Sequence, residues 1–182
     1  RLCRFKVETI GDCYVAVAGL PNPRKAHAVA MARCAREGRY RMHQLTRKLE
    51  GVLGPDTADL SMRFGLHSGP VTAGVLRGDK SRFQLFGDTV NTAARIESTG
   101  QRNKIHLSKE TAGLLIAAGK HHWVSARQEI VLAKGKGEMQ TYWLSMKVQS
   151  GASSKSGTTD SSGNEDGRYA QVDVDDSKWV EA

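Results

Sequence analysis

The chain has 182 residues, 39% of them hydrophobic and 25% charged, with 27 Lys and Arg against 19 Asp and Glu for a net charge of +8. That is long enough for one domain with a core of its own, and no apolar run approaches the roughly 20 residues of a membrane-spanning helix. Cys3, Cys13 and Cys34 are odd in number and lack CxxC or Cys/His spacing, which argues against a zinc site or a disulfide framework and for a reducing compartment.

In chain order, "KVETIGDCYVAVAGL" from Lys6 to Leu20 predicts a hairpin that reverses at Gly11 and Asp12. The turn alone explains an aspartate there, but a strand-tip carboxylate is also a natural ligand for a hard divalent cation, and both readings stay open locally. "PNP" from Pro21 to Pro23 breaks the strand. A helix follows from about Ala26 to Val52, with Met42, Leu45, Leu49 and Val52 at helical spacing, and "GPD" from Gly54 to Asp56 closes it. "LSMRFGLHSGPVTAGVL" reads as two short strands split at Gly69 and Pro70, followed by a turn around "RGDKS" and the strand "RFQLFG". A helix enters through Asp88 and Thr89 and continues "VNTAARIES". Next come strand "KIHLS", a helix from about Lys109 to Ala118, strand "EIVLA", a glycine turn "KGKG" and strand "MQTYWLSM". This interleaving predicts an α/β or α+β sandwich with helices over one sheet.

From Gly151 the sequence is rich in Ser, Gly and Asp, without aliphatic periodicity, and cannot bury enough apolar surface to offset its ordering entropy. It is expected to be disordered. With 3 basic and 7 acidic residues removed in that tail, residues 1–150 carry 24 basic against 12 acidic residues. Such a domain favours polyanions: nucleic acid, an anionic membrane surface or nucleotide phosphates. A solvated basic helix face, "RCAREGRYRMHQLTRKLEG", accounts for part of the same excess. The first residues, "RLCRFKVE", show no secretory pattern and no initiator methionine, so the chain is expected to be a piece of a longer one.

The segment "FGDTVNTAARIESTG" concentrates chemistry. Asn91 and Arg95 lie four apart on the predicted helix and share one face, while Val90, Ala93, Ala94 and Ile96 can supply the buried faces. A guanidinium fork suits a phosphate and an amide suits a sugar oxygen, although polar pairs at this spacing are common on helices. His67 and the pair His121 and His122 lack partners at metal-ligand spacing and read as structural, as do Trp123 and Trp143. No nucleic-acid recognition motif is present, so charge alone would support that partner.

Four segments occur in one order at compatible spacings: "KVETIGDCYVAVAGLP", "RFGLHSGPVTAGV", "FGDTVNTAARIESTG" and "KGKGEMQTYWL". This set resembles the catalytic domain of class III nucleotide cyclases, and within them the guanylate cyclases, over about residues 4–145. The resemblance implies an α+β, ferredoxin-like βαββαβ-type fold truncated at its N-terminus, with residues 1–148 a partial catalytic domain and 149–182 a disordered acidic tail. It implies that GTP is converted to 3′,5′-cyclic GMP and pyrophosphate for intracellular signalling, with two Mg²⁺ or Mn²⁺ ions, at the interface of a homodimer or a heterodimer with another cyclase domain. Asp12 matches the second metal-binding aspartate; the other is expected upstream of Arg1. Glu8 and Gln84 match the purine-reading positions, Asn91 and Arg95 the transition-state pair, and Lys134 the triphosphate-binding lysine, with Lys136 close by.

In such enzymes one domain supplies the metal aspartates and its partner the base, ribose and phosphate contacts, so Glu8 and Asp12 would serve different sites in a homodimer. Glutamate at the position of Glu8 is typical of guanylate cyclases. Gln84 departs from the family, which usually carries cysteine for guanine or aspartate for adenine, and its amide can donate to guanine O6 or accept from adenine N6. The resemblance further implies a cytoplasmic domain, such as one on the cytosolic face of a membrane protein, with a regulatory or transmembrane region upstream. The alternatives are an adenylate cyclase, or a non-catalytic cyclase-like half that dimerises with an active partner.

Overall fold

The computed structural model describes residues 5–76 and 82–145. They lie within one compact unit, Arg1–Met146. The tail expected to be disordered, the turn around "RGDKS" and Cys3 fall outside the described residues.

The chain runs β1 (Phe5–Ile10), β2 (Cys13–Val17), α1 (His27–Leu53), β3 (Phe64–Leu66), β4 (Thr72–Leu76), β5 (Arg82–Phe86), α2 (Asp88–Ser98), β6 (Ile105–Leu107), α3 (Lys109–Ala117), β7 (Val124–Ala126), β8 (Val131–Ala133), β9 (Gly137–Met139) and β10 (Tyr142–Leu144). A 3₁₀ turn at Pro55–Asp59 follows α1 and another at His121–Trp123 precedes β7. The expected α+β arrangement holds. Among the described residues, however, the strands form not one sheet but a four-stranded sheet in the order β3-β6-β10-β7 and three separate hairpins, β1-β2, β4-β5 and β8-β9. β3 and β6 are parallel, while β10 is antiparallel to both its neighbours.

"MQTYWLSM", expected as one strand, is two. Met139 ends β9, which pairs with β8, and Tyr142 begins β10 in the larger sheet. Between them Thr141 is buried, and the Gln140 amide donates to the Arg127 carbonyl at 2.8 Å. Strand β7 had no alternating signal of its own.

The core sits where α1 and α3 pack on the four-stranded sheet and joins Leu66, Ile105, Leu107, Leu115 and Leu144 to Ala28, Ala32 and Ala35. Each large aliphatic side chain buried there contributes about 1.5–3 kcal/mol. The alanines, at steps of four and three, let the N-terminal half of α1 lie close to the sheet. The apolar residues that marked this helix in the sequence are not its buried face: Met42 and Leu49 are half-buried, and Leu45 is 49% and Val52 79% exposed. Helical spacing identified the helix but not the side that packs. Gly54, at φ 104°, ends α1 as "GPD" predicted. Cys13 is free, but Cys34 is disulfide-bonded, contrary to the expectation of reduced thiols throughout.

Ser108 caps α3 by accepting from the Thr111 N–H at 3.3 Å. For α2, Thr92 and Ile96 face inward, whereas Ala94, expected on a buried face, is exposed. The helix approaches β3 so closely that a Cβ on Gly65 would lie 2.3 Å from the Glu97 backbone nitrogen. Only glycine permits this contact, and it fixes where α2 stands.

Candidate active site

Gly11, at φ 60°, and Asp12 form the β1-β2 turn, as expected, and Asp12 is exposed there. Its charge is felt by Arg63, whose guanidinium donates to Glu97 at 2.8 Å and is held above its ordinary pKa by that hydrogen bond first. Glu8 lies opposite Val15 in the hairpin, next to a bulge that begins at Lys6. The Glu8 side chain is outside the described residues. β1 packs against β5, where Gln84 is half-buried opposite Gly74.

β5 leads through Gly87, at φ 126°, directly into α2. Asn91 and Arg95 are both exposed on this helix, one turn apart, free to meet a ligand together. Lys134 and Lys136 are exposed in the β8-β9 turn, on either side of Gly135, which like Gly137 has a positive φ, 79° and 73° respectively. The Lys136 ammonium forms an ion pair with Asp88 in the first turn of α2, which brings hairpin and helix together. Lys136 is the first cause of the lowered Asp88 pKa.

Asn91 and Arg95 do not line the adjacent cavity. This cavity, of about 580 Å³, is bounded by His67 to Thr72, Asp88, Thr89, Thr92, Glu110, Lys136 and Met139, among others. Sequence reasoning singled out only Lys136 among them as a site residue. The His67 ring hydrogen-bonds Ser108 at 2.8 Å and approaches Glu110 at 3.4 Å. Burial pushes its pKa below the usual histidine value. Burial opposes ionisation of Glu110, but its own backbone N–H, the Ser108 hydroxyl and His67 outweigh that and hold the carboxyl low. Ser68 bonds Thr111 at 3.0 Å, and the Thr89 hydroxyl donates to the Pro70 carbonyl at 2.6 Å, tying the "HSGP" loop to both helices. His67 and its neighbours thus have structural partners, as expected for them.

Asp88 is the residue that sequence reasoning passed over. It served only as a helix start, where a first-turn carboxylate suits the helix dipole; its pairing with Lys136, 48 residues on, is set by the tertiary fold.

Among the described residues no group of three or more His, Cys, Asp and Glu could hold a metal ion, and no helix is long and apolar enough to cross a membrane. The family model for the adenylate and guanylate cyclase catalytic domain matches residues 3–146. Guanylate cyclase 2G of Mus musculus is 43% identical over 145 residues, which are 79% of this chain and 12% of that protein, so the chain spans about an eighth of that relative's length. Among solved structures, the guanylate cyclase domain of RhGC from Catenaria anguillulae in complex with GTP is 35% identical, with a TM-score of 0.63, over 79% of this chain and 73% of that one. The catalytic core of a rhodopsin-guanylyl cyclase with converted specificity, in complex with ATPαS, is 35% identical, with a TM-score of 0.61, over 79% and 72%. With a family match that spans most of its length, the fold it predicts and relatives above 30% identity, this chain belongs to the adenylate and guanylate cyclase catalytic domain family.

Proposed function

We propose that the chain is a guanylate cyclase catalytic domain that converts GTP to 3′,5′-cyclic GMP and pyrophosphate at the interface with a second cyclase domain. The observation that carries this reading is the joint placement of Asn91 and Arg95 on the open face of α2, with the lysine-bearing hairpin tied to the start of the same helix. The guanylate cyclase names of the relatives, and the GTP bound in one of them, support the substrate.

The reaction needs little covalent help from protein. The substrate's 3′-hydroxyl oxygen attacks its own α-phosphorus, the bond from that phosphorus to the bridging oxygen breaks, and pyrophosphate leaves with the electron pair while the hydroxyl proton passes to solvent. Arg95 donates its fork to the charge that grows on the α-phosphate, Asn91 holds the ribose, and Lys134 binds the terminal phosphates with Lys136 beside it. Glu8 and Gln84 read the purine.

Cyclase domains of this family generally use divalent metal ions. Asp12, exposed and without a hydrogen-bond or ion-pair partner among the described residues, would supply one oxygen ligand to such an ion, of the six that Mg²⁺ takes. The described residues alone therefore do not fit a two-metal centre. Bound Mg²⁺ or Mn²⁺ would neutralise the triphosphate. A dimer fits the exposed positions of Asp12 on one hairpin and of Asn91 and Arg95 on α2, which leaves these groups open to a partner; GTP as substrate puts the domain on the cytoplasmic side. In this reading residues 1–148 form the catalytic domain, and 149–182 lie outside it. The test is formation of cyclic GMP from GTP by the full-length protein, with loss of turnover in Asp12→Ala. No product in any dimer, homotypic or with another cyclase domain, would favour the regulatory half instead.

A further inference from the structure

We propose that Asp88 is a positioning residue that latches the β8-β9 hairpin to the start of α2, so that Lys136 is an anchor and Lys134 is the phosphate ligand of the hairpin. This rests on the cyclase reading given above. The hairpin has strands of three residues that, among the described residues, pair only with each other, and its turn carries two glycines in the left-handed region, which by themselves permit many turn conformations. Val131 and Ala133 are buried and hold the base of the hairpin, but the turn itself is exposed. Its tie to the body is the ion pair from Lys136 to Asp88.

Asp88 is itself held. The Thr92 hydroxyl, on a buried residue one turn along α2, donates to the same carboxylate oxygen at 3.3 Å. The Lys136 N–H closes the turn onto the Ala133 carbonyl at 2.9 Å. Lys134 has no hydrogen-bond or ion-pair partner among the described residues. One lysine of the pair is therefore committed to the helix that carries Asn91 and Arg95, and the other is available. The latch sets the distance between the phosphate-binding turn and the transition-state face, and spares the substrate part of the cost of ordering the turn.

Amide hydrogen exchange across residues 133–139, compared between the wild-type chain, Asp88→Asn, Lys136→Gln and the double variant, tests the latch without reference to activity. Each single substitution should speed exchange of the Lys136 amide by about fivefold, as expected for loss of one exposed ion pair. The double should go no further than either single, Asp88→Glu should restore protection, and amides of β6 should not change. Unchanged exchange in Asp88→Asn, or additive effects in the double, would overturn the proposal. In turnover assays Asp88→Asn should raise KM for GTP about fivefold at nearly constant kcat. A fall in KM would mean that Asp88 withholds Lys136 from substrate, and would overturn it too. If the wild-type protein forms no cyclic GMP, the cyclase reading fails, while the exchange result still decides whether Asp88 holds the hairpin.

Discussion

In the four-stranded sheet, Ile105, His106, Leu107 and Ser108 are four consecutive buried residues, whereas in the β1-β2 and β4-β5 hairpins Tyr14 is 53% and Val75 61% exposed. β6, an interior strand of that sheet, is buried throughout, as a strand covered on both faces is. The hairpins keep an uncovered side. Apart from Lys134 in the β8-β9 turn, the residues proposed to act on substrate or metal belong to the second region or to its border: Glu8 and Asp12 on β1-β2, Gln84 on β5, and Asn91 and Arg95 on the open face of α2. A domain built this way has a stable half that fixes positions and an open half that is completed by substrate and a partner. Substitutions in the two regions should then differ in kind.

The largest effect is expected where the regions meet. Gly65→Ala puts a methyl group 2.3 Å from the Glu97 backbone nitrogen, so α2 must shift from β3. A loss of about 3 kcal/mol or more in urea unfolding is expected, together with loss of turnover. A stable and active Gly65→Ala protein would show that the seat of α2 is not what positions its outer face. Arg95→Ala should do the opposite. Stability should stay within about 0.5 kcal/mol, because the side chain is exposed. In turnover, kcat should fall on the order of a hundredfold with KM little changed, since one preorganised donor to the developing charge is lost.

A smaller effect distinguishes the regions by pH. The His106 ring is fully buried, its Nδ1–H donates to the Ile96 carbonyl at 2.6 Å, and Nε2 has no hydrogen-bond partner among the described residues. Burial first, and Arg127 after it, lower its pKa, against the pull of that hydrogen bond. Burial likewise lowers that of His67. Both rings are neutral in the folded and unfolded chain well above the ordinary histidine value. As pH falls through that value, about 6.5, the unfolded chain binds protons first, so stability drops. Unfolding midpoints should therefore fall between pH 8 and pH 5.5, and less steeply in His106→Phe. An unchanged slope in that variant would remove His106 from the account.

Much of this division was legible in the sequence, and the failures have physical causes. Gly11 and Asp12 at a reversal, Asn91 and Arg95 on one helical face, and Gly54 at a helix end follow from local chemistry, and each is found as expected. The buried face of α1 does not follow, because Ala28, Ala32 and Ala35 pack by being small, and small residues carry little hydrophobic signal beside Leu45 and Val52. The break between β9 and β10 depends on two different pairing partners, which a run such as "MQTYWLSM" cannot announce. Asp88 and Lys136 are 48 residues apart, and their pairing belongs to the tertiary fold. The cavity walls at His67, Thr92 and Glu110 were invisible for the same reason.

The central claim, a cyclase that reads guanine, is tested most directly by kcat/KM for GTP and ATP in the full-length protein. Guanine presents N1–H and the N2 amine as adjacent donors that the Glu8 carboxylate can accept together, whereas adenine presents an acceptor at N1. That mismatch costs roughly 1–3 kcal/mol, about tenfold to a hundredfold in specificity. Gln84 can turn to donate to O6 but does not exclude adenine. The account predicts GTP over ATP within that range, and a shift toward ATP in the double variant Glu8→Lys with Gln84→Asp. A wild-type preference for ATP would contradict the guanylate assignment.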